Sequence, residues 1–245
     1  MIPKIIHYCW FGRKPIPTLY EKYIESWKIY LPNYEIKEWN EDNFDVNCTS
    51  FCEEAYEKGK FAYVSDYARL RVLYDHGGVY FDTDVEVIRP MEDLIEKGPW
   101  MGIEKHTSSP DEEDMVALGL GFAVEPRNPI IKEIMAYYEN HHYTYPDGHL
   151  EQITIVLITT DILRKHGKPS RVDVPINVAG ITIYPWEWFC PQEGLWGNVQ
   201  ITENTYTIHH FSATWMSRID RIRMWRGHFF QTNKFGIIIR KLFKR

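Results

Sequence analysis

Two aspartates one residue apart, Asp82 and Asp84, close the run Gly77-Gly78-Val79-Tyr80-Phe81-Asp82-Thr83-Asp84-Val85-Glu86. Hard divalent cations take oxygen ligands, and Mg²⁺ or Mn²⁺ commonly bridges protein carboxylates to the phosphates of a substrate. An apolar strand ending in two carboxylates suits that task, because ligands of open α/β sheets bind at the carboxyl ends of the strands. Alternate residues of a strand share a face, so both side chains can turn to one ion. The pair alone also reads as a solvated acidic turn; the helix, Gly-Gly and apolar strand before it favour the metal. Asp66 and Arg69 are three apart and share one helical face. They read either as a surface ion pair worth well under about 1 kcal/mol, or as a carboxylate and a guanidinium that hold sugar hydroxyls beside the aspartates, with Ser65 adjoining. A late run, His209-His210-Phe211-Ser212-Ala213-Thr214-Trp215, supplies a third group. On a strand its two histidines point to opposite faces, so one can enter the site. The expectation places His210 there as a further metal ligand and Trp215 as a side chain that closes the site. Trp10, at the end of the first strand, can stack on a flat base.

Strands and helices must alternate to hold these groups. Lys4 to Trp10 is a mostly apolar run bounded by Gly12, Pro15 and Pro17, and is expected to be a buried first strand. Leu19 to Tyr30 has apolar residues at helical spacing, Tyr34 to Trp39 alternates as a strand, and Phe51 to Lys58 is a short helix. In Ala62 to His76, Val64, Tyr67, Ala68, Val72 and Leu73 recur at three- and four-residue steps until Gly77-Gly78 stops the helix. Strands are expected at Val79 to Asp82, Val85 to Ile88, Val116 to Val124, Ile181 to Tyr184 and Tyr206 to His209. Helices are expected at Asn128 to Asn140 and Thr154 to His166, and a polar loop at Glu104 to Met115. This order predicts an α/β domain with a mainly parallel central sheet flanked by helices. A catalytic domain is expected over residues 1–217, followed by a basic helical extension over 218–245.

Composition narrows the classes. The 245 residues are 44% hydrophobic and 25% charged, as in an ordinary globular chain, and no apolar stretch reaches transmembrane length. Met1-Ile2-Pro3-Lys4 lacks the apolar run of a signal peptide, so the expected compartment is cytoplasmic. Cys9, Cys48, Cys52 and Cys190 are too few for a disulfide scaffold, and Cys48 and Cys52 lack a partner pair for zinc. Nine of the 28 basic residues but one of the 34 acidic residues fall in 218–245, so that segment carries +8 and the rest −14. An acidic body argues against a nucleic-acid binder. The cationic, partly apolar end suits an anionic membrane surface, with a terminal helix capping the core as the alternative.

Ile2 to Trp10, Ala62-Tyr63-Val64-Ser65-Asp66-Tyr67-Ala68-Arg69-Leu70, the Gly-Gly-Val-Tyr-Phe-Asp-Thr-Asp run and the final His-His-Phe-x-x-x-Trp together resemble glycosyltransferase family 32. These are bacterial capsular and surface polysaccharide transferases with the DXD sugar-binding region. They are related to the yeast mannosyltransferase that initiates outer chains and, more distantly, to glucosylating clostridial toxins. The likeness is dense over residues 1 to 90, returns at 206 to 215 and is thin between. It implies a GT-A (Rossmann-like) fold, a nucleoside-diphosphate sugar donor (UDP-linked), Mn²⁺ or Mg²⁺, a glycan or lipid-linked acceptor, and retention of anomeric configuration. By motif, Trp10 would stack on the base, and Ser65 and Tyr80 would line the ribose and diphosphate. Asp66 and Arg69 would hold the donor sugar, Asp82 would reach ribose and metal, and Asp84 would bind the metal directly. His210 stands where the toxins carry a carboxylate.

Two rival classes stay distinguishable. Haloacid-dehalogenase-like phosphatases also place Asp-x-Asp after an apolar strand, but they want Thr or Val where Glu86 stands, and no later Gly-Asp-x-x-x-Asp appears. A non-catalytic sugar-binding module would use tryptophan platforms, yet it leaves the paired aspartates and the Asp66/Arg69 face without a role.

Overall fold

A computed structural model describes residues 1–104, 113–194 and 197–212. Residues Met1–Phe211 form one compact unit. The strands are β1 (Ile5–Cys9), β2 (Glu35–Trp39), β3 (Gly78–Tyr80), β4 (Val85–Val87), β5 (Trp100–Gly102), β6 (Phe122–Val124), β7 (Ile176–Val178), β8 (Ile181–Tyr184) and β9 (Thr207–His209). The helices are α1 (Thr18–Tyr30), α2 (Ser50–Glu57), α3 (Phe61–His76), α4 (Glu92–Ile95), α5 (Pro129–Asn140) and α6 (Ile155–Lys165).

Seven strands make one sheet in the order β2-β1-β3-β6-β5-β8-β7, while β4 and β9 form a separate two-stranded pair. Following the pairings across the sheet, five strands run one way, and β6 and β7 run the other. The mainly parallel α/β architecture is therefore the one expected.

Period-two alternation builds two cores from one sheet. Cys9, Tyr80, Met101, Phe122 and Val124 face a layer containing α2, α3, α5 and α6. Their neighbours Tyr8, Val79, Trp100 and Ala123 face the opposite layer, with α1 and α4. Local signals start and stop the helices. The Thr49 hydroxyl accepts from the Cys52 N–H at 3.1 Å to cap α2. Asn128 accepts from Ile130 N–H ahead of Pro129, which opens α5. Gly77, at φ +65°, ends α3 and donates to the Leu73 carbonyl.

Val116 to Val124 is not one strand. Leu118–Leu120 is a 3-10 turn, and Gly121, at φ +115°, redirects the chain into β6. Most of the expected polar loop (105–112), Trp215 and the basic extension over 218–245, with its domain boundary, lie outside the described residues.

Candidate metal and donor site

The site forms where β3 gives out. Phe81 N–H still bonds to His7 O at 3.1 Å, and the Phe81 ring is buried against Trp27, with centroids 5.4 Å apart. Phe81 thereby anchors the chain as Asp82, Thr83 and Asp84 turn outward. Val85 N–H returns to Asp82 O at 3.0 Å, closing a tight turn before β4 begins. The two aspartates thus converge through a turn, not through strand alternation as expected.

β4 pairs antiparallel with β9, with Val85 opposite His209, and His210 N–H bonds to Asp84 O at 3.0 Å. That register decides which histidine meets the aspartates. His209 Nε2 lies 3.2 Å from Asp84 Oδ1. Asp82, Asp84 and His209 each offer one ligand atom, all within 4.8 Å of one another. His210, the expected ligand, instead has Nε2 2.9 Å from Glu86 Oε2 and stacks on Tyr23 at a centroid distance of 4.4 Å. The single-residue difference follows from strand alternation: the choice between the two faces depends on pairing to β4, which the local sequence does not encode.

The three groups fit a divalent cation on their own chemistry. Two carboxylates and an imidazole are hard and borderline donors, and a mixed set of this kind suits Mn²⁺ better than an oxygen-seeking Mg²⁺. His209 Nδ1 is buried without a hydrogen-bond partner. Such an atom is costly unless something satisfies it, and imidazole bound to a metal commonly uses both nitrogens. Burial works against charge on His209, but Asp84 beside it lifts its pKa above the ordinary value.

Arg69 organises the other side. Its guanidinium spans Asp66 Oδ1 and Asp82 Oδ1, each at 3.2 Å from Nη2, while Nη1 donates to Asp82 Oδ2 at 3.4 Å. Nε donates to Ser65 O at 3.2 Å, and the guanidinium lies over the Tyr80 ring at 4.9 Å. Tyr80 OH donates to Asp82 Oδ1 at 2.9 Å. The Arg69 side chain is only 6% exposed, so this is a buried charge network and not a surface pair. Burial pushes Asp66 up to about 7 against the attraction of Arg69. Asp66, Arg69, Tyr80 and Asp82 are therefore together, with Ser65 contributing its carbonyl. Trp10 is half-buried at the end of β1, edge-on to Tyr20, and its Nε1 donates to Lys14 O at 2.6 Å.

Gly119 is a site residue that motif reading missed. Its carbonyl accepts from Asp82 N–H at 3.4 Å, and a Cβ there would collide with Asp82 Oδ2 and sit 3.5 Å from Arg69 Nη1. The 3-10 turn can lie against the carboxylate because this residue has no side chain. The Gly-Leu-Gly of residues 119–121 is the only trace of this in the sequence.

Residues 17–100 match the family model described as "Glycosyltransferase sugar-binding region containing DXD motif". This stretch includes α3, Arg69 and both aspartates. The chain is 33% identical over 108 residues to a protein of Acanthamoeba polyphaga mimivirus named as an uncharacterized glycosyltransferase, covering 40% of this chain and 41% of that one. It is 24% identical over 155 residues to inositol phosphoceramide mannosyltransferase 1 of Schizosaccharomyces pombe, covering 59% and 45%. The chain thus spans less than half the length of these relatives. Among solved structures it is similar to the PaToxG glycosyltransferase, at 20% identity and TM-score 0.47 over 67% of this chain and 69% of that one. The resemblance to DXD glycosyltransferases accordingly rests on residues 17–100 and the curated relatives.

Proposed function

We propose that this chain is a metal-dependent, retaining glycosyltransferase of GT-A type. It would move a sugar from a nucleoside-diphosphate donor, UDP-linked, to a glycan or lipid-linked acceptor in surface polysaccharide synthesis. The observation that carries this reading is the convergence of Asp82, Asp84 and His209 beside the Asp66–Arg69 network, inside the stretch that matches the DXD family model. A relative named for inositol phosphoceramide supports the lipid-linked alternative.

Asp82, Asp84 and His209 would hold Mn²⁺ or Mg²⁺. When bound, the ion would offset the negative charge that grows on the departing diphosphate. The protein's own contribution is preorganisation. Arg69 and Tyr80 fix the Asp82 carboxylate before any ligand arrives, so little rearrangement is left for the reaction itself. Asp66 and Arg69 would orient the donor sugar, Ser65 and Tyr80 would line the ribose and diphosphate, and Trp10 would stack on the base. Trp215 is assigned the role of closing the site. Retention fits same-face attack, with a diphosphate oxygen taking the proton of the acceptor hydroxyl.

The test is a panel of nucleotide sugars incubated with and without Mn²⁺. Release of nucleoside diphosphate should require both the ion and one preferred donor. Asp84→Ala should abolish that release without lowering the melting temperature. Metal-independent release, or a fully active Asp84→Ala protein, would refute the assignment. Product anomer determination by NMR checks retention.

Among the described residues no helix is long and apolar enough to cross a membrane. The +8 charge over 218–245 supports peripheral contact with an anionic inner membrane face, with residues 1–217 as the catalytic domain. Flotation with anionic liposomes should carry the full chain upward and leave a chain truncated at 217 behind; equal behaviour ends the membrane proposal.

A further inference from the structure

A groove of about 370 Å³ runs along the seam between α1 and β4, lined by Lys22, Glu25, Ile29, Tyr30 and Glu86 among others. None of these residues belongs to the metal and donor site, but Glu86 connects the groove to it. Glu86 lies two residues beyond Asp84, roughly 7 Å along an extended chain. His210 joins the two places. Its backbone N–H holds Asp84 O, its ring rests on Tyr23, and its Nε2 fixes Glu86 Oε2 at 2.9 Å.

The groove's chemistry selects a ligand class. An added peptide strand is excluded, because α1 already uses the edge of β4. Ser26 Oγ accepts from Val87 N–H at 3.0 Å, and Trp27 Nε1 donates to Val85 O at 2.8 Å. A polyanion is disfavoured because the lining offers one lysine, Lys22, beside Glu86 and a Glu25 already paired with Lys28 at 2.8 Å. What remains is a neutral, hydroxyl-rich molecule with an apolar face. Glu86 Oε1 and Lys22 Nζ have no hydrogen-bond partner among the described residues, so one can accept from a hydroxyl and the other donate to one. Ile29, 63% exposed, and the half-buried Tyr30 present apolar surface to ring C–H groups.

We propose that this groove binds the acceptor saccharide and delivers its hydroxyl toward Asp84, an inference that rests on the glycosyltransferase reading above. Glu86 is then a positioning residue held in place by His210 and Tyr23, and the seam between α1 and β4 sets which sugar is accepted.

Binding can be measured on the full chain without a nucleotide sugar, by saturation-transfer NMR. The probes are methyl α-mannoside, methyl β-galactoside and methyl β-glucoside. At least one should bind. Ile29→Arg, which fills the groove from an exposed position, and Lys22→Ala should each weaken it by about tenfold or more, with melting temperatures unchanged. Absence of binding by all three, or binding that both variants leave intact, overturns the groove assignment while leaving metal-dependent donor cleavage standing. Glycoside binding by a protein that cleaves no donor overturns the acceptor role.

Discussion

The choice between His209 and His210 rests on a single hydrogen-bonding register, and the two residues make opposite predictions. His209 shares the 4.8 Å cluster with both aspartates, whereas His210 belongs to Glu86 and Tyr23. His209→Ala should weaken Mn²⁺ binding by at least about tenfold, in line with the loss of a ligand or its support. His210→Ala should leave Mn²⁺ affinity near that of the parent. Isothermal titration with Mn²⁺ checks both, and a larger loss for His210→Ala would reverse the assignment. Gly119 gives a second prediction at this scale. A methyl group there meets Asp82 Oδ2, which Arg69 holds while Tyr80 holds Oδ1 of the same carboxylate. Gly119→Ala should cost roughly 1–3 kcal/mol of stability through overpacking, and it should lower Mn²⁺ affinity as well. Unchanged metal affinity would mean that Asp82 is free to shift.

Elements were legible where a local pattern is long enough to repeat. α3 repeats its apolar residues from Val64 to Leu73 and ends at Gly77-Gly78, and α1, α5 and α6 declare themselves in the same way. β5, β7 and α4 are three or four residues long, too short for either period to emerge, and they were not anticipated. The direction of β6 is a tertiary property: Val79 pairs antiparallel with Ala123 although both lie in apolar runs that read alike. The same limit applies to the site. The helix face of Asp66 and Arg69 and the spacing of Asp82 and Asp84 could be read from residues alone. The turn that aims the aspartates, the β4–β9 register and the clearance at Gly119 depend on contacts distant in sequence. The Gly77-Gly78 stop illustrates how element ends fix the site. Gly78 has φ +106°, and a Cβ on it would lie 2.6 Å from Ile5 O and 3.1 Å from His7 Nε2. Only glycine lets β3 enter alongside β1 at this point. Gly78→Ala should therefore cost roughly 2–4 kcal/mol, read as a lower urea midpoint, with activity per folded molecule reduced because β3 leads directly into Asp82. An unchanged midpoint would show that the strand entry relaxes.

At the scale of the whole molecule, one buried histidine ties the β2–β1–β3 side of the sheet together and makes it sensitive to acid. His7 on β1 is fully buried, with Nδ1 accepting from Trp39 Nε1 and Nε2 facing Gly77 O, both at 3.0 Å. Those partners require a neutral ring with its proton on Nε2. A second proton on Nδ1 would point at the indole N–H and leave the bond to β2 broken. Burial accordingly lowers the His7 pKa to about 4. An unfolded chain takes up this proton near pH 6.5, before the native state does, so the native state loses stability as pH falls from about 6.5 to about 4. The full loss approaches roughly 3 kcal/mol at 1.36 kcal/mol per pKa unit. Asp66 acts with the opposite sign. Its carboxyl is raised to about 7, so the native state gains the proton first and is favoured as pH falls below that value. The two effects partly cancel in the parent protein, and a pH profile of its stability alone identifies neither. His7→Gln separates them: the variant has no imidazole to protonate, so its urea midpoint should fall less, or even rise, between pH 7 and pH 4.5. Parallel profiles for the two proteins would mean that His7 charges in the native state without disturbing the sheet.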